Sequence, residues 1–178
     1  LMEYGHARQR GGNGIQGMVE NITSGLDRRQ AHRAAVDSLQ MSLAEALGHY
    51  TEINGQALAS VKKISTNAGS AELGQLVLTL HSLMYAKEFA GIERAVGSGG
   101  FAAGEMALAR GLRLTTLIAR QESGLGRFLD AATDENEAML KAVLNSSSAQ
   151  ELERLRIVAF DAIASGALQG TPAEQFFA

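Results

Sequence analysis

The 178-residue chain contains a single proline, and its apolar residues recur at three- and four-residue steps through most of its length. Proline breaks helix interiors, and this spacing places apolar side chains on one face of an α-helix. No stretch alternates apolar and polar residues, or carries enough β-branched residues, to predict a sheet. The sequence therefore predicts an all-α fold, an antiparallel four-helix-type bundle with additional short helices.

Breaks rich in Gly, Ser and Asn divide the predicted helices. The helix expected at the start of the chain contains several glycines, and each interior Gly destabilises a helix by about 1 kcal/mol relative to Ala. The run Gly97-Ser98-Gly99-Gly100 predicts the end of another helix, and Ser148 with Glu151 forms a predicted capping box. Helices are expected over residues 1–22, 27–65, 70–97, 103–145 and 149–165.

Composition excludes several classes of protein. The net charge of −3 and pI near 5.8 argue against a general nucleic-acid or anionic-membrane surface. The absence of cysteine excludes disulfides and Cys-based metal or nucleophile sites. No apolar run reaches the ~18 residues that span a bilayer. The length fits one domain with a substantial core, predicted to comprise residues 1–178.

The ends of the sequence suggest a fragment of a longer protein. Residue 1 is Leu, and no signal peptide is visible. Thr171-Pro172-Ala173-Glu174 combines a capping box with proline at the first helical position, which predicts the start of a helix, and the sequence stops four residues after Glu174.

Two cations interrupt the apolar pattern of the helix predicted over 70–97. Lys87 and Arg94 continue at heptad spacing from Leu73 and Leu80, so this seam is expected to face other helices, with Glu93 pointing elsewhere. Burying an unpaired guanidinium costs several kcal/mol. Small neighbours such as Gly91 leave room for an anion, either an internal carboxylate or a ligand. The alternative is a surface helix along which Lys87 extends its charge into water.

A second cationic candidate lies near the start of the chain. Arg10 precedes Gly11 and Gly12, and glycine permits close approach of helices or of backbone to a small ligand. The alternative is a frayed, exposed terminus with solvated arginines.

Metal and catalytic sites have little support in the pattern. A di-iron bundle requires Glu-x-x-His on two helices with carboxylates on two others, and that constellation is absent. Neither a nucleophile elbow nor a phosphate-binding loop is present. We therefore predict no catalytic residue, no metal and no cofactor.

Two segments resemble the motifs of a known family. Residues 87–95 read KEFAGIERA, which resembles the central motif of the nitrate- and nitrite-sensing (NIT) domain, roughly Lys-Glu-x-Ala-Gly-x-Glu-Arg-Ala. Residues 7–11 read ARQRG and resemble its N-terminal Gln-x-Glu-Arg-Gly, with Gln9 where the family has Glu. The resemblance covers about residues 1–140.

The resemblance implies an all-helical, non-enzymatic sensor module. It implies that Arg10 and Arg94 bind nitrate or nitrite between helices, with Lys87, Gly91, Gly11 and Gly12 in support. The family occurs in bacterial transmembrane receptors, including chemoreceptors, and in cytoplasmic antiterminators. A homodimer is therefore expected, attached to the inner membrane through segments outside this chain. A periplasmic location follows from that reading, with a cytoplasmic one left open.

Two other functions fit the same residues. A helical-bundle sensor could use these arginines to bind another small anion or a carboxylate. A structural dimerisation bundle could instead pair Lys87 and Arg94 with glutamates of a partner chain.

Overall fold

The computed structural model describes residues 16–165 and residue 168. Within these residues the chain is helical apart from short turns and connections, with no strand, which confirms the predicted all-α class. Residues 16–27 are helical. The helices that follow are α1 (Arg29–Asp37), α2 (Leu43–Thr66), α3 (Ala71–Ala103), α4 (Leu108–Leu129), α5 (Asp134–Leu144) and α6 (Ser147–Ser165).

The chain divides into two compact units, Leu1–Met84 and Tyr85–Ala178, and α3 runs through the boundary. No helix within residues 16–165 is both long and apolar enough to cross a bilayer.

In the first unit, the residues before α2 pack antiparallel against it. Gly25 lies so close to Ile53 that an added Cβ would be 2.8 Å from Ile53 Cγ1. The rings of His32 and His49 stack with centroids 3.4 Å apart. The later residue of the first segment, His32, therefore pairs with the earlier residue of α2, His49, which is the order expected of antiparallel helices.

The helix predicted over residues 27–65 is interrupted before α2. Leu39 adopts φ 56°, a left-handed conformation that ends the preceding helix, and Ser42 is the N-cap of α2. The Ser42 hydroxyl accepts a hydrogen bond from Glu45 N at 3.3 Å, and the Glu45 carboxylate accepts one from Ser42 N at 2.9 Å. This capping box satisfies backbone donors at the start of α2 and was not part of the predicted boundaries.

The predicted break at Gly97–Gly100 is wrong, because α3 continues to Ala103. Gly100 serves close packing instead, since an added Cβ would lie 2.6 Å from Met106 Cε. The chain leaves the helix at Gly104, whose φ of 70° suits glycine.

The single helix predicted over 103–145 is also wrong. The chain forms α4 and α5 with a break between them, and the Thr133 hydroxyl caps α5 by accepting from Asn136 N at 3.3 Å. α6 begins two residues before its predicted start, because Ser146 and not Ser148 accepts the capping hydrogen bond.

In the second unit, α4 lies antiparallel to α3 and to α6. Side chains of Tyr85 and Glu93 on α3 contact Arg127 and Gln121 on α4, in reversed order. Gln121 also contacts Arg156, and Gly111 approaches Ile163 of α6, again in reversed order. The buried apolar residues of this unit include Ile92, Val96, Phe101, Met106, Leu114, Leu117, Phe128, Leu155, Ala159 and Ala162.

Gly111 marks the closest approach of α4 to α6. A Cβ at this position would lie 2.1 Å from Ile163 Cδ1 and 2.7 Å from Cγ1. We expect Gly111→Ala to lower the free energy of unfolding by about 1–3 kcal/mol, because Ile163 or the helix must shift. Urea denaturation measures this.

Gly126→Ala is the matched control on the same helix, since no atom lies within 4 Å of its added Cβ. It should stabilise the protein by up to about 1 kcal/mol through helix propensity alone. Equal effects of the two substitutions would contradict close packing at Gly111.

Candidate functional site

Three residues of the predicted anion site share one face of α3. Lys87, Gly91 and Arg94 are spaced by four and three residues, which places them on one side of the helix, and all three are exposed. An added Cβ at Gly91 would meet no atom within 4 Å. The face therefore presents two cations beside an open stretch of helix backbone.

The two cations lack an internal counterion among the described residues. Neither Lys87 nor Arg94 has a carboxylate of residues 16–165 within ion-pair distance. The sequence allowed either an internal carboxylate or a ligand as the anion beside these cations. No carboxylate in the described part of the chain takes that position.

The expected burial of this face is wrong. Leu73 and Leu80, on the same stripe as Arg94, are 49% and 52% exposed, while Glu93 is 1% exposed. The heptad pattern located a stripe but did not show which of two adjacent residues faces inward. Glu93 faces inward because a guanidinium of α6 neutralises it, whereas Arg94 has no such partner among the described residues.

Glu93 belongs to a buried network that joins three helices. Arg156 of α6 donates from Nε to Glu93 Oε1 and from Nη2 to Glu93 Oε2, both at 2.7 Å. Gln121 of α4 donates from Nε2 to Glu93 Oε2 at 2.5 Å and accepts from Arg156 Nη2 at 3.2 Å. Both carboxylate oxygens of Glu93 are therefore occupied by charge-assisted hydrogen bonds.

The guanidinium of Arg156 also has an exposed partner, Glu153, whose Oε1 lies 2.5 Å from Nη1. Burial by itself would lower the pKa of Arg156, but the hydrogen bonds and charge of Glu93, with the charge of Glu153, raise it above its usual value. Arg156 therefore stays cationic, and its fork of donors fixes where the Glu93 carboxylate can lie.

Aromatic side chains of the same segment hold α3 against α4. The guanidinium of Arg120 lies over the Phe89 ring at 4.9 Å from its centroid, and Arg127 lies over Tyr85 at 5.2 Å. Tyr85 and Phe89 also pack edge to face at 4.6 Å. These contacts leave the face of Lys87 and Arg94 uncovered.

Comparison with protein families identifies the chain. A family model described as nitrate and nitrite sensing, NIT, matches residues 3–178. The chain belongs to the NIT family. The match continues beyond residue 140, the limit that the motifs suggested.

A curated relative agrees with the NIT assignment. The chain is 28% identical over 134 residues to a nitrate regulatory protein of Klebsiella oxytoca, covering 75% of this chain and 33% of the relative. The NIT chain thus aligns with about a third of that protein's length. No solved structure gives a significant match.

The N-terminal motif of the NIT chain lies outside the described residues. Arg10, Gly11 and Gly12 fall in residues 1–15, as does Gln9, and the predicted capping box at Thr171 falls after residue 168. The assignment of Arg10 to the anion site therefore remains a prediction.

Two of the three histidines in the described part of the NIT chain, His32 and His49, stack against each other. No group of three His, Asp or Glu side chains within residues 16–165 is arranged to hold a metal ion. His32 Nδ1 and His49 Nε2 are buried, and neither has a hydrogen-bond partner among the described residues. Burial lowers the pKa of His49, and the nearby charges of His32 and Arg28 lower it further.

Gln121 and Arg156 are functional residues that the sequence pattern does not predict. They lie 28 and 63 positions from Glu93 along the chain, so no local spacing connects them. The available signal was Glu93 itself, an acidic residue three positions before buried Val96 and one after buried Ile92. Such a position predicts a distant cation, but does not identify it.

Proposed function

We propose that the chain is a non-enzymatic sensor domain that binds nitrate or nitrite between helices through Arg94 and passes a conformational signal onward. Lys87 and Gly91 support the anion, and Arg10 is the second guanidinium. The observation that carries this proposal is the face of α3 on which two cations lack a described carboxylate partner, in a chain of the NIT family.

The chemistry of the face suits a small planar oxyanion. Nitrate is flat and singly charged, and the guanidinium of Arg94 offers planar donors that match such an anion better than an ammonium does. Lys87 adds a second positive charge on the same face of α3, about two helical turns from Arg94. Because Gly91 has no side chain, the anion can approach the helix backbone between them.

A signal arises if Arg10 and Arg94 come together only around the anion. Two unit charges ~6 Å apart at an effective dielectric constant near 20 repel by roughly 3 kcal/mol, and an anion between them makes the interaction attractive. Coupling of about 1–3 kcal/mol between binding and conformation is typical of such systems. Gln9 stands where the family has Glu, so any charge pair that this Glu makes in the family is not expected here.

Calorimetric titration with nitrate tests the proposal. We expect Arg94→Ala to weaken nitrate binding about tenfold to hundredfold, because a hydrogen bond to a charged group contributes about 1.5–3 kcal/mol. Arg94→Lys keeps the charge without the planar fork and should recover only part of the affinity. Arg10→Ala should weaken binding similarly.

Arg113→Ala is the control, because Arg113 of α4 is exposed and its substitution removes the same charge as Arg94→Ala. It should change the affinity by no more than the general loss of one surface charge. Nitrate binding that Arg94→Ala leaves intact would refute the proposal. Preferential binding of chloride, sulfate or a small carboxylate in the same titration would assign the site to another anion.

The dimerisation bundle remains the second candidate, because a specific feature favours it. Leu73, Leu76 and Leu80 of α3 are 49–64% exposed, an apolar stripe that a second copy of the chain would cover. A pure dimerisation bundle predicts a melting temperature that rises with protein concentration and does not respond to any anion.

The location that we propose for this domain comes from family context. A receptor would place this domain outside the inner membrane as a periplasmic dimer anchored by other segments, as in a chemoreceptor. The similarity to a nitrate regulatory protein equally supports a nitrate-responsive regulator, and a cytoplasmic location stays open. Both arrangements use the same anion-binding face.

A further inference from the structure

Glu93 and Arg94 are neighbours on α3 with opposite environments. Successive residues of an α-helix point about 100° apart around its axis. Glu93 is 1% exposed and bonded to α4 and α6, whereas Arg94 is exposed. Because both side chains leave the same turn, the orientation of Glu93 sets the direction in which Arg94 points.

Apolar packing orients α3 in this region, because Ile92, Val96 and Phe101 are buried. Between Val96 and Phe101, the buried residues Gly97, Ser98 and Gly100 offer no bulky side chains to lock into grooves of neighbouring helices. By contrast, the Arg156 fork holds both Glu93 oxygens at 2.7 Å, and Gln121 bonds to both partners. These directional hydrogen bonds therefore add a constraint on the rotation of α3 that its small buried residues do not supply.

We propose that Glu93 is a positioning residue for the anion site. With Gln121 and Arg156 it fixes the rotation of α3, so that Arg94 and Lys87 face the anion, and it links that face to α6. The inference rests on the proposed anion-binding function for its effect on affinity. Its effect on helix rotation is independent of any ligand.

Spin-label distances measure the rotation directly, since the chain contains no cysteine. Nitroxides at Gly91→Cys and Gly126→Cys, both at exposed positions of α3 and α4, report the setting of one helix against the other. Glu93→Gln should broaden or shift the distance distribution. Glu153→Gln, which removes the exposed partner of the same guanidinium, should leave it unchanged. A distribution unaffected by Glu93→Gln would overturn the proposal.

Nitrate titration of the unlabelled protein then tests the consequence. Glu93→Gln should weaken binding about fivefold or more, the lower end of typical coupling between sites. In an Arg94→Ala background the same substitution should have little further effect, because the positioned group is gone. Glu153→Gln should bind nitrate as the unmodified chain does.

An apolar replacement of the network separates positioning from stability. The triple variant Glu93→Leu, Gln121→Leu, Arg156→Met replaces the buried polar groups with side chains of similar size, which restores folding in comparable cases. We expect it to be folded yet to bind nitrate as weakly as Glu93→Gln. Full affinity in this variant would show that the network only stabilises the unit.

Failure of the proposed function gives a different result. If the unmodified chain does not bind nitrate while Glu93→Gln still changes the label distance, the anion assignment is wrong and the positioning of α3 by Glu93 stands.

Discussion

We expect Arg156→Met to lower the free energy of unfolding by about 3–5 kcal/mol, because it leaves the Glu93 carboxylate buried without its counterion. Glu93 has a side chain 2% exposed, and Arg156 supplies two of its three hydrogen bonds. The remaining donor, Gln121, is neutral and cannot balance the charge. Urea denaturation followed by circular dichroism measures the change.

Glu153→Gln is the control for this prediction. Glu153 pairs with the same guanidinium, but its side chain is 63% exposed. Exposed ion pairs contribute about 0–1 kcal/mol, so the substitution should have a small effect. A loss on Arg156→Met no larger than that of the control would mean that Glu93 finds water or another partner.

The size of this effect measures the penalty of an unpaired charge. It does not measure what the intact pair contributes, since removing both charges from water is itself costly. The triple apolar variant described above gives the net contribution of the network. A triple variant more stable than the unmodified chain would indicate that the network is retained for positioning and not for stability.

The second large effect is expected at the apolar core of the second unit. Leu155 of α6 is 2% exposed, and we expect Leu155→Ala to lower the free energy of unfolding by about 2–5 kcal/mol through lost burial and the cavity that remains. Because Leu155 precedes Arg156, the substitution also probes the packing that holds the network in place.

Ile157→Ala on the same helix is its control. Ile157 is 61% exposed, so truncation should change stability by no more than about 0.5 kcal/mol. Equal losses at the two positions would indicate that α6 buries its Ile157 face as well, against a partner or a second copy of the chain.

Some helix boundaries set by local hydrogen bonds were predicted and others were missed, such as the caps at Ser42 and Thr133. The helix predicted from residue 70 agrees with the start of α3, where the Ser70 hydroxyl accepts a hydrogen bond from Leu73 N at 3.1 Å. Boundaries failed where glycine has two uses. Gly100 permits close packing inside α3, whereas Gly104 ends it with φ 70°, and the sequence does not distinguish these uses.

The helical class and the family motifs were readable from the sequence because both depend on residues within a few positions of one another. A periodicity of three to four residues specifies helix, and residues 87–95 carry the Lys, Gly and Arg of the proposed site on one helical face. Only the tertiary structure decided that this face is exposed and that Glu93 is buried. The reason is that the guanidinium able to neutralise Glu93 comes from Arg156, 63 positions away, and folding alone brings the two charges together.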